Sequence, residues 1–207
     1  MREIDPQLTA RAQQFEIWKT APNPMLVFVK KIDVTNLMRI SKKKHLKFNM
    51  LIDYCIGKAS ISQKEFYLLP VGDKLMAYDK IAINTMVRNH KGDVSSCDIE
   101  YTADFDTYSN DYLKYTNQVA TSCKDIDLSE EYMVIGTSAI IDTELEFAGG
   151  MYSGIYNNPY IIWGRYSRRL FRYYVNLSFQ FHHAQMDGAH AAQFLNRIQQ
   201  VIDELNI

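Results

Sequence analysis

The sequence lacks the features that mark membrane proteins, secreted proteins and nucleic-acid-binding proteins. No apolar run approaches the roughly 18 residues that a membrane-spanning helix needs. The amino-terminal stretch MREIDPQLTARAQQ contains no apolar segment of the kind found in signal peptides. The 23 lysines and arginines nearly balance the 24 aspartates and glutamates, so no global attraction to nucleic acid or to an anionic membrane is expected. These absences predict a soluble cytoplasmic protein that binds neither nucleic acid nor membrane.

Cysteine is scarce in this chain. Cys55, Cys97 and Cys123 are odd in number, lie far apart and form no CxxC pair. This usage is typical of reduced thiols in a reducing compartment. None of the cysteines lies in the sequence setting of a catalytic nucleophile.

Several widespread catalytic motifs are also absent. The chain has no G-x-S-x-G elbow, no phosphate-binding P-loop and no G-x-G-x-x-G after a predicted strand. It also lacks the glycine-rich pyrophosphate loop of the common N-acetyltransferases and the hexapeptide repeats of the left-handed β-helix acyltransferases. These absences argue against the usual hydrolase, nucleotide-binding and dehydrogenase classes.

The composition is that of an ordinary globular domain. With 207 residues, of which 47% are hydrophobic and 13% aromatic, the chain is long enough for one sizeable core. No linker, repeat or low-complexity segment divides it, so we expect a single domain over residues 1–207. Helical and strand patterns mix without regular βαβ alternation, which predicts a two-layer α/β sandwich with a mixed sheet packed by helices.

Local patterns predict the individual elements. Helices are expected over 5–18, from a cap at Asp33 or Thr35 to the basic run at 42–45, over 48–59, and on the surface over 109–124. Strands are expected over 25–32, 132–141 and 160–166. Three further strands, at 66–69, 74–78 and 81–88, have the spacing of a meander.

The stretch from 171 to 188, FRYYVNLSFQFHHAQMDG, carries the clearest functional signal. Apolar and polar residues alternate from position 175, as in a half-buried strand; the apolar set is Val175, Leu177, Phe179 and Phe181. This alternation places His182 on the polar face and His183 on the apolar face. Asp187-Gly188 then closes a turn, and helical spacing follows it. A strand, a turn with His and Asp, and a helix can together hold a general base.

Simpler interpretations of this stretch remain open on the pattern alone. His183 can be a packed core histidine, and Asp187 can serve only as the N-cap of the last helix. A metal site made of His183, Asp187 and His190 is a third interpretation, although no cysteine or further carboxylate cluster completes the ligand set.

The same residues resemble a known family. HHAQMDG at 182–188 resembles the HHxxxDG signature of the chloramphenicol acetyltransferases, and the helix after it resembles the carboxyl-terminal helix of that family. RAQQFE at 11–16 is similar to its R-x-x-x-F-E motif, and 30–48 to its LDIT helix and basic turn. Ser138-Ala139 matches the start of its S-A-x-P-W segment. Related acyltransferases also carry HxxxDG, but four ordered matches along the chain make the resemblance specific.

The resemblance implies both chemistry and assembly. It implies transfer of an acetyl group from acetyl-CoA to a hydroxyl of the acceptor, without an acyl-enzyme and without a metal, in a homotrimer whose active sites lie at subunit interfaces. His183 would be the general base, a role that suits an imidazole at neutral pH. Ser138 would stabilise the oxyanion. Asp187 and Arg11 would form a buried ion pair that holds the catalytic turn in shape.

Departures from the family pattern concern the acceptor. Residues 141–142, Ile-Asp, stand where the family has Pro-Trp; Ile162 replaces a threonine, and Val94 replaces a pocket phenylalanine. We take Phe28, Val94, Tyr160 and Ile162 as candidate acceptor-binding residues. Other aromatic residues either line the acceptor pocket or belong to the core; these are Tyr152, Tyr156 and Trp163. Acetylation of chloramphenicol is the leading function. The alternatives are acetylation of another hydroxylated acceptor, a non-catalytic ligand-binding relative, and a metal-dependent hydrolase.

Overall fold

A computed structural model describes residues 1–150, 152 and 154–207. The strands are β1 (Arg2–Ile4), β2 (Met25–Asp33), β3 (Leu68–Val71), β4 (Lys74–Ala77), β5 (Ile81–Arg88), β6 (Val94–Glu100), β7 (Met133–Ile140), β8 (Tyr160–Gly164), β9 (Ser167–Arg169) and β10 (Arg172–His182). The α-helices are α1 (Ala12–Trp18), α2 (Thr35–Lys44), α3 (Phe48–Ser60), α4 (Phe105–Ser122) and α5 (Gly188–Glu204).

The strands of the described residues form two sheets. The large sheet has the order β2-β10-β8-β7-β5-β6, and β9 pairs with β10 beside it. Its strands are mixed in direction, because β7 runs parallel to both β5 and β8 while β10 is antiparallel to β2 and β8. A small antiparallel sheet has the order β1-β4-β3. The expected α/β sandwich with a mixed sheet is confirmed.

One face of the large sheet is covered by helices. Ile83, Ile135 and Phe179 on this face are fully buried and belong to one hydrophobic cluster with Leu51 of α3 and Phe194 of α5. The alternation seen in the sequence from position 175 therefore points the apolar residues of β10 toward the helices.

The opposite, helix-free face carries the alternating polar residues. The stretch 143–150 crosses this face at β10. There the backbone N–H of Ala148 donates to Ser178 Oγ at 2.9 Å, and that of Gly150 donates to Gln180 Oε1 at 2.9 Å. The polar side chains of β10 thus fix the path of the chain that follows β7.

The amino-terminal helix expected over 5–18 is wrong in part. A 3-10 turn at Pro6–Leu8 is followed by extended Thr9, with φ −118° and ψ 159°, and α1 begins only at Ala12. The Thr9 hydroxyl accepts a hydrogen bond from the backbone N–H of Arg11 at 3.1 Å. A threonine side chain that bonds the local backbone competes with helix continuation, which explains the break.

The meander expected over 66–88 is wrong in part, because only its first two strands, β3 and β4, pair with each other. β4 pairs with β3 and with β1 in the small sheet, whereas β5 joins the large sheet between β6 and β7. β6 was not predicted, although Cys97 and Ile99 point inward while Asp98 and Glu100 alternate with them on the other face. Because several of its residues are polar, the alternation of apolar and polar side chains that indicates a strand is weak in this segment.

Helix α4 begins earlier than expected, because the Asp104 carboxylate caps it by accepting from the Thr107 N–H at 2.9 Å. It is not purely a surface helix, since Tyr108, Tyr112 and Val119 are buried. Among the described residues, no helix combines the length and apolar character needed to cross a membrane.

Candidate functional site

The turn between β10 and α5 is built by Asp187. Its carboxylate caps α5 by accepting hydrogen bonds from the N–H groups of Ala189 at 3.0 Å and His190 at 3.3 Å. In return, His190 Nδ1 accepts from the Asp187 N–H at 3.3 Å, which completes a capping box. Asp187 is therefore an N-cap residue whatever else it does.

Arg11 joins the first helical segment to this turn. Its guanidinium donates to the carbonyl of His183 at 2.7 Å, to the carbonyl of Ala184 at 3.3 Å and to Asp187 Oδ2 at 3.2 Å. Arg11 is 3% exposed, whereas the Asp187 side chain is 36% exposed. The expected ion pair is therefore present but buried only on the arginine side. Most of the contact is made with the backbone of the turn.

The charge of Asp187 is favoured by its surroundings. Burial raises the pKa of its carboxyl, but the N–H groups of His190 and Ala189 and the charge of Arg11 lower it more. The net result is a pKa below the usual value, so the carboxylate stays ionised at neutral pH.

His183 lies in the turn, one residue beyond the end of β10. Its ring stacks on Trp18 with centroids 4.4 Å apart and an interplanar angle of 18°. Its backbone N–H donates to the carbonyl of Pro24 at 2.8 Å, and its Nδ1 atom is buried without a hydrogen-bond partner among the described residues. The ring is therefore held by stacking and by its anchored backbone.

Trp18 was not predicted as a site residue. A signal for it was nevertheless available, because Arg11, Phe15 and Trp18 are spaced four and three residues apart and share one side of a helical turn. Phe15 is 1% exposed and Arg11 is buried at the turn, so this side of the segment faces the interior.

The predicted orientation is right for His182, which lies on the helix-free face of β10, but wrong for His183, which lies beyond the end of the strand. His182 is the buried one at 1% exposure, and its Nδ1 accepts from the Ala184 N–H at 3.0 Å. Burial and, to a smaller extent, the neighbouring His183 lower the pKa of His182 to about 4. The alternation does not extend to His183, because β10 ends at His182 and the chain turns.

The three groups of the hypothetical metal site do not come together. His183 stacks on Trp18, whereas His190 lies between Asp187, with Nδ1 3.0 Å from Oδ1, and Glu65, with Nε2 3.3 Å from Oε1. Over the described part of the chain, no group of three or more His, Cys, Asp or Glu side chains is arranged to hold a metal ion.

Ser138 lies on the helix-free face of β7. It pairs with Ile162 of β8, which in turn pairs with Ser178 of β10. Ser138 is thus two strands away from β10. Along the strand direction it is level with Ser178, five residues before His183. At about 4.8 Å per strand and 3.3 Å per residue, Ser138 and His183 lie about 19 Å apart within one chain.

Tyr160 lies beside Ser138 on the same face. Burial raises the pKa of its hydroxyl, and a hydrogen bond with Ser138 opposes that shift. The Tyr160 ring lies against Gly136, where a Cβ atom would approach the ring to 2.1 Å. Glycine at this position therefore makes room for the ring next to Ser138.

The candidate acceptor residues do not converge in one chain. Tyr160, Ile162 and Val94 lie on the helix-free face, and Val94, on the edge strand β6, is 66% exposed. Phe28 lies on the other face, with its ring 5.5 Å from that of Phe181. It lines a shallow groove of about 420 Å³ between β2 and α5.

The remaining aromatic residues differ in their surroundings. Trp163 is 1% exposed and belongs to the core cluster. Tyr152 approaches the buried His182 edge-on at 6.4 Å between centroids, and Tyr156 is 75% exposed.

Known proteins are similar to this chain along nearly its whole length. The sequence profile of the Chloramphenicol acetyltransferase family matches residues 1–199. The chain is 23% identical over 203 residues to chloramphenicol acetyltransferase 3 of Escherichia coli, covering 96% of this chain and 95% of that protein. It is 26% identical over 188 residues to a chloramphenicol acetyltransferase of Staphylococcus aureus, covering 86% and 85% respectively.

Solved structures show the same fold. A chloramphenicol acetyltransferase matches with a TM-score of 0.83 at 20% identity, covering 97% of this chain and 99% of that one. A probable dihydrolipoamide acetyltransferase from Listeria monocytogenes matches with a TM-score of 0.71 at 13% identity, covering 99% and 94%. With the family profile matched over nearly the whole chain, the resemblance seen in the sequence is confirmed, and the chain belongs to the chloramphenicol acetyltransferase family of acyltransferases.

Proposed function

We propose that this chain is an acetyl-CoA-dependent O-acetyltransferase in which His183 is the general base, with chloramphenicol as the leading acceptor. The observation that carries the proposal is the turn at 183–187. Arg11 holds the carbonyls of His183 and Ala184, while Trp18 stacks on the imidazole. A base held in this way needs little rearrangement before it reacts.

The chemistry follows from the residues of this turn and of β7. His183 takes the proton of the acceptor hydroxyl as its oxygen bonds to the thioester carbon, a step worth roughly 10² to 10⁴ in rate. The Ser138 hydroxyl donates a hydrogen bond to the oxyanion that forms on the former carbonyl oxygen. Cleavage of the carbon–sulfur bond then releases the CoA thiol, which takes the proton from His183, and the acetyl ester of the acceptor. His182 is unsuited to the base role because its Nδ1 is already engaged in the interior.

The active site would be shared between subunits of a homotrimer. A separation of about 19 Å is too large for Ser138 and His183 of one chain to meet at the same reacting carbon. The helix-free face also exposes apolar side chains that a second copy would cover. They include Met86, Val94 and Ile140, with Ile141 in the stretch after β7.

A second candidate function is O-acetylation of a different hydroxylated acceptor. Its support is confined to the helix-free face, where Val94 and Ile162 take the places of a phenylalanine and a threonine of the family pattern. Both replacements change the size or polarity of the surface near which the acceptor would lie, while the turn that holds His183 keeps the family residues.

Release of CoA thiol tests the function directly. With acetyl-CoA present, we expect thiol release to require an added acceptor, and we expect chloramphenicol or another alcohol in a panel of hydroxylated antibiotics and metabolites to support it. Mass spectrometry of the product should show one added acetyl group. Thiol release without acceptor would indicate a thioesterase. No release with any acceptor would favour a non-catalytic ligand-binding relative.

Mixing two inactive variants tests the shared site. His183→Ala subunits lack the base and Ser138→Ala subunits lack the oxyanion donor. In mixed trimers about one quarter of the interfaces would combine an intact His183 with an intact Ser138 from the neighbour. We therefore expect activity to return to about that fraction of the wild-type level after co-expression. Co-expression of His183→Ala with a chain carrying both substitutions is the matched control and should stay inactive. Lack of recovery in the first mixture would contradict a site shared between subunits.

A further inference from the structure

A carboxyl group outside the turn is enclosed in the core beneath Ser138. Asp53 of α3 is 0% exposed, and no ion pair found among the described residues includes it. Asp53 Oδ1 lies 2.9 Å from the hydroxyl oxygen of Thr137 on β7. Asp53 Oδ2 is buried and has no hydrogen-bond partner in the described part of the chain.

The neighbouring hydrogen bond restricts where the protons can be. The Thr137 hydroxyl oxygen also lies 2.8 Å from the backbone carbonyl of Asn84 on β5. A carbonyl oxygen can only accept, and a hydroxyl has one proton to donate. If Thr137 donates its one proton to Asn84, the contact between Thr137 and Asp53 is a hydrogen bond only when the Asp53 carboxyl group is protonated and donates to Thr137. When Asp53 is protonated, each of the two contacts contains one proton and both are hydrogen bonds. When Asp53 is ionised, only one proton is available, and in the other contact two oxygen atoms face each other with their lone pairs.

The surroundings also disfavour a charge on Asp53. The titratable groups that face it are Tyr108 and Tyr112 of α4 and Cys55 of α3, and burial raises the pKa of all three, so they are neutral at pH 7. Burial raises the pKa of Asp53 itself to about 8, against the smaller, opposing effect of the Thr137 hydroxyl. A buried carboxylate without a cation and with an unpaired oxygen is costly.

The chain of hydrogen bonds ends beside a residue of the proposed site. Thr137 precedes Ser138 in β7 and points to the helix-covered face, while Ser138 points to the opposite face. The links from Asp53 to Thr137 and from Thr137 to Asn84 therefore join α3, β7 and β5 directly behind Ser138.

We propose that Asp53 is a neutral carboxylic acid in the working enzyme and that it donates a hydrogen bond to Thr137, which positions β7 and the Ser138 hydroxyl. Asp53 is thus a positioning residue that acts through Thr137. The role of Ser138 rests on the proposed function, whereas the protonation of Asp53 does not. Loss of the proton removes the donor, so raising the pH weakens the hold on β7.

Infrared spectroscopy tests the protonation state without any substrate. At pH 7 the wild type should show the carbonyl stretch of a buried protonated carboxyl, and Asp53→Asn should lack it. The band should disappear as the pH rises through about 8. A band that persists in Asp53→Asn belongs to another residue, and a wild type without the band has an ionised Asp53; either result overturns the proposal.

Activity against pH tests the positioning role. With a pKa of about 8, kcat of the wild type should fall about 30-fold between pH 7 and pH 9.5, with little change in the KM for acetyl-CoA. The amide of Asp53→Asn can still donate to Thr137, so this variant should keep at least about a third of the wild-type kcat at pH 7 and lose less than about twofold over the same range. Thr137→Val removes the hydroxyl and should lower kcat at every pH, whereas Thr137→Ser is the matched control that keeps it.

A readout without catalysis separates this proposal from the proposed function. In the wild type, the amide resonance of Ser138 in NMR spectra should shift with the same midpoint as the infrared band, and in Asp53→Asn it should not shift. If the band titrates while the Ser138 resonance and kcat do not follow, the positioning role is wrong. If no acceptor is found for the enzyme, the band and the resonance still decide the proposal.

Discussion

Replacing His183 with alanine should lower kcat by about 10² to 10⁴, the usual contribution of a positioned general base. The loss should fall on kcat, with little change in the KM for acetyl-CoA, because in the proposed mechanism His183 acts on the acceptor hydroxyl and not on the donor. Steady-state thiol release with a saturating acceptor measures it. The fold should survive, since His183 is only partly buried and stacks on a single side chain, Trp18.

The adjacent histidine offers a matched control. His182→Asn keeps an acceptor near the Ala184 N–H, which His182 Nδ1 serves in the wild type at 3.0 Å. We expect this variant to lose at most about tenfold in kcat, through small shifts of the turn. The opposite pattern, with activity lost in His182→Asn and kept in His183→Ala, would show that the base has been assigned to the wrong imidazole.

Replacing Arg11 with alanine should destabilise the protein by about 3 kcal/mol. Arg11 is buried, and its removal leaves the carbonyls of His183 and Ala184 without their donor. The loss should lie at the lower end of the range for broken buried ion pairs, because the Asp187 side chain is 36% exposed and water can solvate it. For a domain of this size, Tm should fall by about 6–12 °C at matched protein concentration.

Arg11→Ala should also reduce activity, because the same hydrogen bonds hold the carbonyl of His183. Arg11→Lys is the control for charge alone. A lysine keeps the positive charge but cannot make three directed hydrogen bonds from one planar group, so its stability should resemble that of Arg11→Ala more than that of the wild type. An unchanged Tm in Arg11→Ala would mean that the guanidinium does not hold the turn.

Asp187→Asn should separate the two roles of this residue, which are capping α5 and pairing with the charge of Arg11. The amide oxygen can still cap α5 by accepting from Ala189 and His190, while the charge that faces Arg11 is lost. Its measured stability should therefore lie between those of the wild type and Arg11→Ala, because Arg11 retains both backbone carbonyls.

The elements that could be predicted are those with a strong local signal. β5 occupies 81–88 as predicted, and the ends of α3 and β7 differ from prediction by one residue. The apolar residues in these segments are numerous and regularly spaced, so only one type of secondary structure buries them all. The start of α5 at Asp187-Gly188 was also predictable, since a capping carboxylate precedes the apolar helical spacing.

The failures have physical reasons as well. β6 was missed because serine and aspartate occupy much of it, and only its pairing with β5 shows that it is a strand. The orientation of His183 could not be extrapolated from the alternation, because the place where β10 ends depends on its pairing with β2, which stops at His182 opposite Met25. The broken first helix depends on a side-chain contact of Thr9 with the backbone.

By itself, the sequence determined the fold class, the last strand and helix, the family resemblance and the turn between them that carries His183 and Asp187. These features rest on local periodicity, capping and motif spacing, which act over short stretches of chain. Only the tertiary structure decided which histidine is buried, that Arg11 bonds the turn 176 positions away, that Ser138 and His183 of one chain are far apart, and that Asp53 lies behind Thr137. Such contacts depend on which segments, distant in sequence, pair and pack against each other. Local patterns in a single sequence do not show this.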